Sequence, residues 1–231
     1  MREIVFDTET TGLDPYQGDR LVEIGCVELV NGFPTGQNFH RYLNPERDMP
    51  EGAFKVHGLS REFLLDKPLF SEVVDEFLEF VADAPMVAHN AMFDLGFINA
   101  ELERCKKGAI PRERLVDTLM LARRRYPAGP NKLDDLCLRY AIDLSRRTKH
   151  GALLDAELLA EVYVELTGKR QARLGLIEAS TVTVTGAAIL VVRTRPVPLA
   201  PRVTDAEREA HRAFVATLGD KAVWNDYLPA A

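Results

Sequence analysis

Hydrophobic and polar positions near the start of the chain follow the pattern of an antiparallel meander. The stretches EIVFDTE and RLVEIGCVELV predict two strands, and Asn31-Gly32 predicts a hairpin turn into a third strand within GQNFHRYLNP. A short apolar stretch, PMVAHN, predicts a further strand later in the chain.

Several segments carry apolar residues at helical spacing. FSEVVDEFLEFVAD predicts a helix that Ser71 caps at its start. FDLGFINAELERCKKG predicts a second helix, which ends at Gly108. Further helices are predicted over about 117–126, 132–141 and 151–167. A meander followed by alternating helices and strands predicts an α/β fold, with a mixed sheet that carries helices on its faces.

The composition changes after the long helix. The stretch STVTVTGAAILVV is followed by three prolines within 196–201, which indicates a linker, although the apolar half is also compatible with a strand or hairpin. From Thr204, TDAEREAHRAFVATLG predicts a last, capped helix. The predicted domains are 1–170, a linker over 171–201 and a C-terminal segment over 202–231.

Composition and charge narrow the class of protein. The 231 residues can bury one sizeable core, and 29 basic against 35 acidic residues give a net charge of -6. This balance argues against a protein that grips duplex DNA by phosphate neutralisation alone, but not against an enzyme that meets nucleic acid in one small pocket. Cys26, Cys105 and Cys137 are widely spaced, as in a reduced cytoplasmic protein. With no apolar run long enough to span a bilayer and no signal peptide, we expect a cytoplasmic location and no membrane contact.

Four acidic residues stand where predicted strands end or predicted helices begin. Asp7 and Glu9 follow the apolar run of the first strand and, being two residues apart, share one face. Asp94 lies at the start of one helix, and Asp155 lies in the first turn of another, with His150 five residues before it. Taken singly, each acid has an ordinary explanation as a solvated strand end or a favourable partner of the helix dipole. The spacing alone does not show that they meet.

If the four acids converge, their mutual repulsion requires a cation or a proton. Oxygen ligands at this density favour Mg²⁺ or Mn²⁺ over zinc. Two such ions can align the attacking water and the leaving oxygen of a phosphodiester, and a histidine can accept the proton of that water. The residue types therefore fit phosphodiester hydrolysis.

Three motifs resemble those of a known family. FDTETTGL, HNAMFDLGFI and HGALLDAELLAEVY are similar to the three exonuclease motifs of the DEDDh 3'→5' exonucleases. VHGLSREFLLDKPLFSEVVDEFLEF and VDTLMLARRRYPAGPNKLDDLCLRYAID resemble one branch of that family, the proofreading epsilon subunits of bacterial DNA polymerase III. The likeness covers residues 1–168 almost continuously. It implies a ribonuclease H-like exonuclease fold with a mixed sheet of about five strands.

The resemblance also implies an activity, a metal-dependent 3'→5' exodeoxyribonuclease that removes mispaired 3'-terminal deoxynucleotides from a single-stranded DNA end. In that family pattern His150 is the general base. Mispaired ends unpair at less cost, so a pocket that accepts only a frayed end would favour them. The implied ligands of two Mg²⁺ or Mn²⁺ ions are Asp7, Glu9, Asp94 and Asp155.

The resemblance also implies which residues contact the terminal nucleotide. Thr10 belongs to the loop after the first strand, and His57 in KVHGL matches a family histidine near the strand terminus. The family often has a glutamate shortly before this histidine. Here Gly52 interrupts that stretch, so Glu51 is displaced and its role stays open. The implied substrate-binding residues are Asp7, Glu9, Thr10, Glu51, His57 and Asp155.

The tail resembles the partner-binding segments of the family. The string QARLGL resembles a short motif that binds the sliding clamp, for which we expect weak affinity. The last helix resembles the segment that holds the polymerase catalytic (alpha) subunit, and docking on its own domain is the alternative. Whether a further small accessory subunit binds stays open. The implied contacts are Gln171, Leu174 and Leu176 for the clamp, and Phe214, Leu218 and Trp224 for the polymerase.

Two other functions are compatible with parts of the pattern. A free-standing exonuclease that trims RNA or DNA would use the same acids, but it would have little need of residues 177–231. A structural bridge between polymerase and clamp would need the tail, with chemistry secondary. We therefore favour the proofreading exonuclease.

Overall fold

The chain divides into two compact units, Met1–Leu174 and Gly175–Ala231. The predicted clamp-binding residues and the segment 177–201 lie outside the described part of the chain, and those predictions stay open. Among the described residues, no helix combines the length and apolarity needed to cross a membrane. The computed structural model describes residues 1–147, 149–168, 203–219 and 224.

Five strands form one mixed sheet in the first unit. They are β1 (Arg2–Thr10), β2 (Leu21–Val30), β3 (Phe33–Tyr42), β4 (Met86–Ala88) and β5 (Leu115–Asp117). Their order is β3-β2-β1-β4-β5, with β1–β2 and β2–β3 antiparallel and β1–β4 and β4–β5 parallel. Asn31 and Gly32 both have positive φ and join β2 to β3, as predicted for a tight hairpin. The predicted sheet is therefore confirmed.

Eight α-helices lie in the described part of the chain, and α1 and α2 were not predicted. They are α1 (Glu51–His57), α2 (Arg61–Leu64), α3 (Phe70–Val81), α4 (Ala91–Arg104), α5 (Thr118–Arg125), α6 (Leu133–Arg139), α7 (Ala152–Thr167) and α8 (Asp205–Thr217).

Two predicted helix boundaries were wrong. Ser71 does not cap α3, because the helix begins one residue earlier and the Glu72 carboxylate accepts a hydrogen bond of 2.7 Å from the backbone N–H of Leu69. Gly108 does not end α4, because Lys106 already takes the left-handed conformation (φ 56°) after Arg104. Local capping geometry therefore decided both ends.

Alternation along β1 divides the core into two layers. Ile4 and Phe6 pack with α3 and α4 on one face, and Val5 packs with α7 on the other. Continuing this period-two pattern, Asp7 and Glu9 share the face that α7 covers. All three cysteines are free thiols, as the sequence predicted.

Gly25 on β2 allows α7 to approach the sheet beside Asp7. It stands opposite Asp7 in the β1–β2 register. A β-carbon at Gly25 would lie 2.2 Å from the backbone nitrogen of Leu153 and 2.3 Å from the carbonyl carbon of Ala152. The helix that carries Asp155 can therefore sit at this depth only where β2 has no side chain.

The second unit contributes α8, whose start is capped as predicted. Thr204 and Glu207 form a reciprocal capping box, with the Thr204 N–H 2.7 Å from Glu207 Oε2. Phe214, Leu218 and Trp224 are each at least half exposed.

Replacing Gly25 with alanine tests the approach of α7. We expect Gly25→Ala to lower the free energy of unfolding by about 1–3 kcal/mol, because the added methyl group meets backbone that cannot rotate away. Gly96→Ala in α4 is the matched control, since its β-carbon would enter open space and should stabilise the helix by up to about 1 kcal/mol. Urea denaturation measures both, and equal effects would contradict the packing role of Gly25.

Candidate active site

The four acids of the sequence analysis lie around the carboxyl end of β1. Asp7 and Glu9 belong to the strand itself, Asp94 to the first turn of α4 and Asp155 to the first turn of α7. Thr8 links Asp94 to the strand, because its Oγ1 donates a hydrogen bond of 2.6 Å to Asp94 Oδ1. Helices from opposite faces of the sheet thus deliver one carboxylate each to the same strand end.

Three of the candidate residues are close enough to share a cation. Ligand atoms of Glu9, His150 and Asp155 lie within 4.8 Å of one another. His150 Nδ1 is 3.2 Å from Asp155 Oδ2, and the imidazole is 50% exposed whereas the carboxylate is buried. The imidazole therefore borders both the acids and the solvent.

Burial and mutual repulsion raise the pKa values of three of the acids. Burial raises the pKa of Asp7 well above its ordinary value, and the carboxylates of Asp94, Glu9 and Asp155 raise it further. Burial, followed by the charge of Asp155, raises the pKa of Glu9 to about 8. Burial likewise raises the pKa of Asp94 to about 7, against the opposing hydrogen bond from Thr8. The protein alone therefore does not stabilise this many negative charges.

The pKa of Asp155 shifts in the opposite direction because of His150 and Arg147. Burial acts to raise its pKa, but hydrogen bonds from His150 and Arg147 outweigh burial and the pKa is lowered. Arg147 Nε lies 2.5 Å from Asp155 Oδ1, and Nη2 lies 2.7 Å from Oδ2. The sequence analysis did not predict this pair, since a basic residue in a loop is usually solvated.

Glu23 and His40 were also missed. Glu23 stands opposite Glu9 in the β1–β2 register and is buried. Its Oε1 lies 2.7 Å from His40 Nε2 on β3, and its charge contributes to the raised pKa of Glu9. The signal in the sequence is an acidic residue inside the apolar stretch RLVEIGCVELV, which could have identified Glu23 as a buried acid.

A cavity of about 500 Å³ opens beside Glu9. Thr10, Leu13, His57 and Phe93 contribute to its walls. The His57 side chain is only 6% exposed, its Nδ1 accepts a hydrogen bond from the Leu59 N–H (3.0 Å), and its Nε2 has no hydrogen-bond partner among the described residues. Burial lowers the pKa of His57. The cavity therefore combines apolar walls with one unsatisfied polar atom.

Glu51 does not line this cavity, although its neighbours Pro50 and Gly52 do. It occupies the first turn of α1, its side chain is exposed, and it forms an ion pair of 2.6 Å with Lys55. Its assignment to substrate binding stays a prediction without a contact to support it.

A wider groove of about 640 Å³ runs along the other side of the acids. Asp7, His150 and Asp155 form one part of its lining, and Arg123 and Lys132 contribute positive charge to the rest. Acidic side chains at the centre and basic side chains along the groove suit a phosphate backbone that reaches a cation-binding site.

The raised pKa values predict a pH-dependent stability of the metal-free protein. An acid whose pKa is higher in the folded protein holds its proton more tightly when folded, so stability falls as pH rises from about 4.5 to about 8 in the case of Glu9. In a chelator, we expect the melting temperature to fall across this range, and Mn²⁺ to raise it more at pH 8 than at pH 5 because ions and protons compete. The melting temperature of the Glu9→Gln variant should fall less over this pH range than that of the wild type. An equal fall in the two proteins would contradict the raised pKa of Glu9.

The comparisons with known proteins agree with this geometry. The model of an exonuclease family of the RNase T type matches residues 4–163. The DNA polymerase III epsilon subunit of Rickettsia felis is 48% identical over 222 residues, which cover 94% of this chain and 97% of the relative. The epsilon subunit of Escherichia coli strain K12 is 44% identical over 236 residues, with 96% and 97% covered.

Solved structures show the same fold at lower identity. The nuclease domain of 3'hExo, a DEDDh family member bound to rAMP, superposes with a TM-score of 0.63 at 15% identity and covers 72% of this chain and 92% of that one. Exonuclease X in complex with 5' overhanging duplex DNA gives a TM-score of 0.56 at 24% identity, with 72% and 91% covered. The chain belongs to the DNA polymerase III epsilon subunits, the proofreading 3'→5' exonucleases within the RNase T-type family of metal-dependent exonucleases.

Proposed function

We propose that this chain removes mispaired 3'-terminal deoxynucleotides from DNA as 5'-monophosphates, in the cytoplasm, as part of the replicative polymerase. Asp7, Glu9, Asp94 and Asp155 bind two divalent ions, Mg²⁺ or Mn²⁺, and His150 is the general base. The observation that carries the proposal is the set of buried acids at the end of β1, next to a solvent-facing imidazole.

The donor set fits two divalent ions. All four carboxylates offer oxygen, which Mg²⁺ and Mn²⁺ prefer, and the raised pKa values of three of them show a shortage of positive charge. Bound divalent ions supply that charge, activate water and stabilise the leaving oxygen of the phosphodiester. The residues present therefore match the cofactor expected from the family.

The protein groups around the acids have separate roles. His150 is exposed enough to exchange protons with solvent and near enough to Asp155 to be oriented by it, so it accepts the proton of the attacking water. The apolar cavity beside Glu9 receives the terminal nucleotide, where Leu13 and Phe93 contact the base and His57 Nε2 meets a polar atom of the sugar. The basic groove receives the preceding phosphates.

The shape of the site accounts for a preference for mispairs. Residues of β1, α1 and α4 line the cavity, which we propose receives one unpaired terminal nucleotide. A terminal mispair frays at a lower free-energy cost than a correct pair, so its 3' end reaches the acids more often.

Substituting Asp7 tests the metal site. We expect Asp7→Asn to reduce the rate of nucleotide release in Mg²⁺ or Mn²⁺ by at least about a thousandfold, in the range seen when one member of a catalytic unit is lost. Because the pKa of Asp7 is raised by burial and by repulsion from neighbouring acids, the variant should be at least as heat-stable as the wild type in a chelator.

The assay measures mononucleotides released from a primer with a mispaired 3' end. Glu103→Gln, which changes an exposed acid on α4, is the control and should retain the wild-type rate. A normal rate for Asp7→Asn would overturn the assignment of the metal ligands.

We assign polymerase binding to the second unit. The exposed apolar side chains of Phe214, Leu218 and Trp224 provide the kind of anchor found at protein interfaces, and the His211 and Trp224 rings meet edge-to-face at 5.3 Å. The polymerase catalytic subunit is the proposed partner, and residues 171–176 are proposed to contact the sliding clamp weakly. Such tethering raises the effective concentration of the exonuclease at the primer end.

The double variant Phe214→Ala/Leu218→Ala tests this anchor. We expect its affinity for the polymerase catalytic subunit to fall by about thirtyfold or more, which corresponds to about 2 kcal/mol for loss of an interface hot spot. The rate on a single-stranded primer end should not change. Glu209→Gln on the same helix is the matched control, and calorimetry with the polymerase subunit measures all three proteins. Undiminished binding of the double variant would refute the assignment.

A further inference from the structure

Arg147 contacts the candidate active-site residues Asp155 and His150 but has no role in the function proposed above. Its side chain is only 9% exposed, and its Nε and Nη2 take one oxygen each of Asp155 at 2.5 and 2.7 Å. Nη2 also lies 2.8 Å from His150 Nδ1. Nη1 contacts Asp134 at the start of α6. One guanidinium therefore joins a proposed metal ligand, the proposed base and a second helix.

These contacts compete with a divalent ion. A guanidinium in a two-bond pair with Asp155 places a positive charge where an ion bound by the same oxygens would add two more, and repulsion between like charges is strong in a buried site. Together with the hydrogen bond from His150, this pairing makes Asp155 the one acid of the four whose pKa is lowered. Arg147 supplies locally the charge that Asp7, Glu9 and Asp94 lack.

The contact with His150 affects the imidazole directly. His150 Nδ1 lies 2.8 Å from Arg147 Nη2, which can only donate a hydrogen bond, and 3.2 Å from Asp155 Oδ2, which accepts one when ionised. Which of the two contacts is the hydrogen bond depends on the tautomer of the ring. In both cases the pair of Arg147 and Asp155 fixes the position of the imidazole from its Nδ1 side.

We propose that Arg147 is the resident counter-cation of the metal site, a positioning residue that pairs with Asp155 in the absence of divalent ions and releases this carboxylate when they bind. The inference rests on the proposed metal site. Asp134 gives the displaced guanidinium an anchor outside the acids. Metal binding must therefore break the pair of Arg147 and Asp155.

The test is Mn²⁺ binding to the full chain without DNA, measured by titration calorimetry, with the melting temperature recorded in chelator and in Mn²⁺. We expect Arg147→Gln to bind Mn²⁺ about tenfold more tightly than the wild type, a size typical of changes beside metal ligands. Its melting temperature should be lower in chelator and should rise more on addition of Mn²⁺. Arg147→Lys keeps the charge but loses the two-bond pairing, so its Mn²⁺ affinity should lie between those of the wild type and Arg147→Gln. It replaces Arg147→Gln in the test if that variant does not fold.

Two controls separate this role from a structural one. Arg146→Gln changes the neighbouring exposed arginine, whose contact with Glu157 is long at 3.4 Å, and should bind Mn²⁺ as the wild type does. Asp134→Asn removes the second anchor but leaves the Asp155 pair, so it should weaken Mn²⁺ binding or leave it unchanged. A purely structural Arg147 would lower the melting temperature without tightening Mn²⁺ binding.

The outcomes also distinguish this inference from the proposed function. If the wild type binds Mn²⁺ and both Arg147 variants bind it no more tightly than the wild type does, the counter-cation role alone is overturned. If the wild type bound no Mn²⁺, or if Asp155→Asn bound it as the wild type does, the metal site itself would be refuted.

Discussion

The repulsion among buried carboxylates at the end of β1 governs the whole site. Folding takes Glu9, Asp94 and Asp155 out of water and leaves Asp7 half-buried beside them, and an isolated buried carboxylate is too costly to keep ionised. The protein offers only partial compensation, with a hydroxyl of Thr8 for one acid and a guanidinium for another. The remaining deficit of positive charge is what divalent ions would supply in the proposed function, so the cost of the empty site and the proposed metal binding have the same physical origin.

The scaffold holds these acids together against their repulsion. The central strand β1 has neighbours on both sides, and its apolar residues pack in two layers that fix the helices α4 and α7 on opposite faces. Parallel pairing of β1 with β4 brings the start of α4 to the same edge as the end of β1. Gly25 sets the depth of α7. Each carboxylate is thus placed by packing that lies outside the acidic cluster.

Sequence patterns predicted four of the five strands and the principal helices, because period-two and period-3.6 spacing are strong local signals. The short strand β5 was not predicted from the pattern, and the expectation that the four acids converge came from the family resemblance. They failed where a contact between distant segments decides the outcome. The pairing of Arg147 with Asp155 and the burial of Glu23 opposite Glu9 depend on the register of β1 with β2 and the docking of α7. The boundaries at Ser71 and Gly108 failed for a local reason, because one carboxylate and one left-handed residue replaced the expected signals.

The reciprocal capping of α8 by Thr204 and Glu207 has a consequence for assembly. A 13-residue helix is only marginally stable by itself in water, and its free N–H groups are part of the reason. Because the capping box satisfies two of these N–H groups, it favours the helical backbone before any partner arrives. Association then loses less conformational entropy than the folding of an unstructured peptide would, and a small anchor can achieve useful affinity.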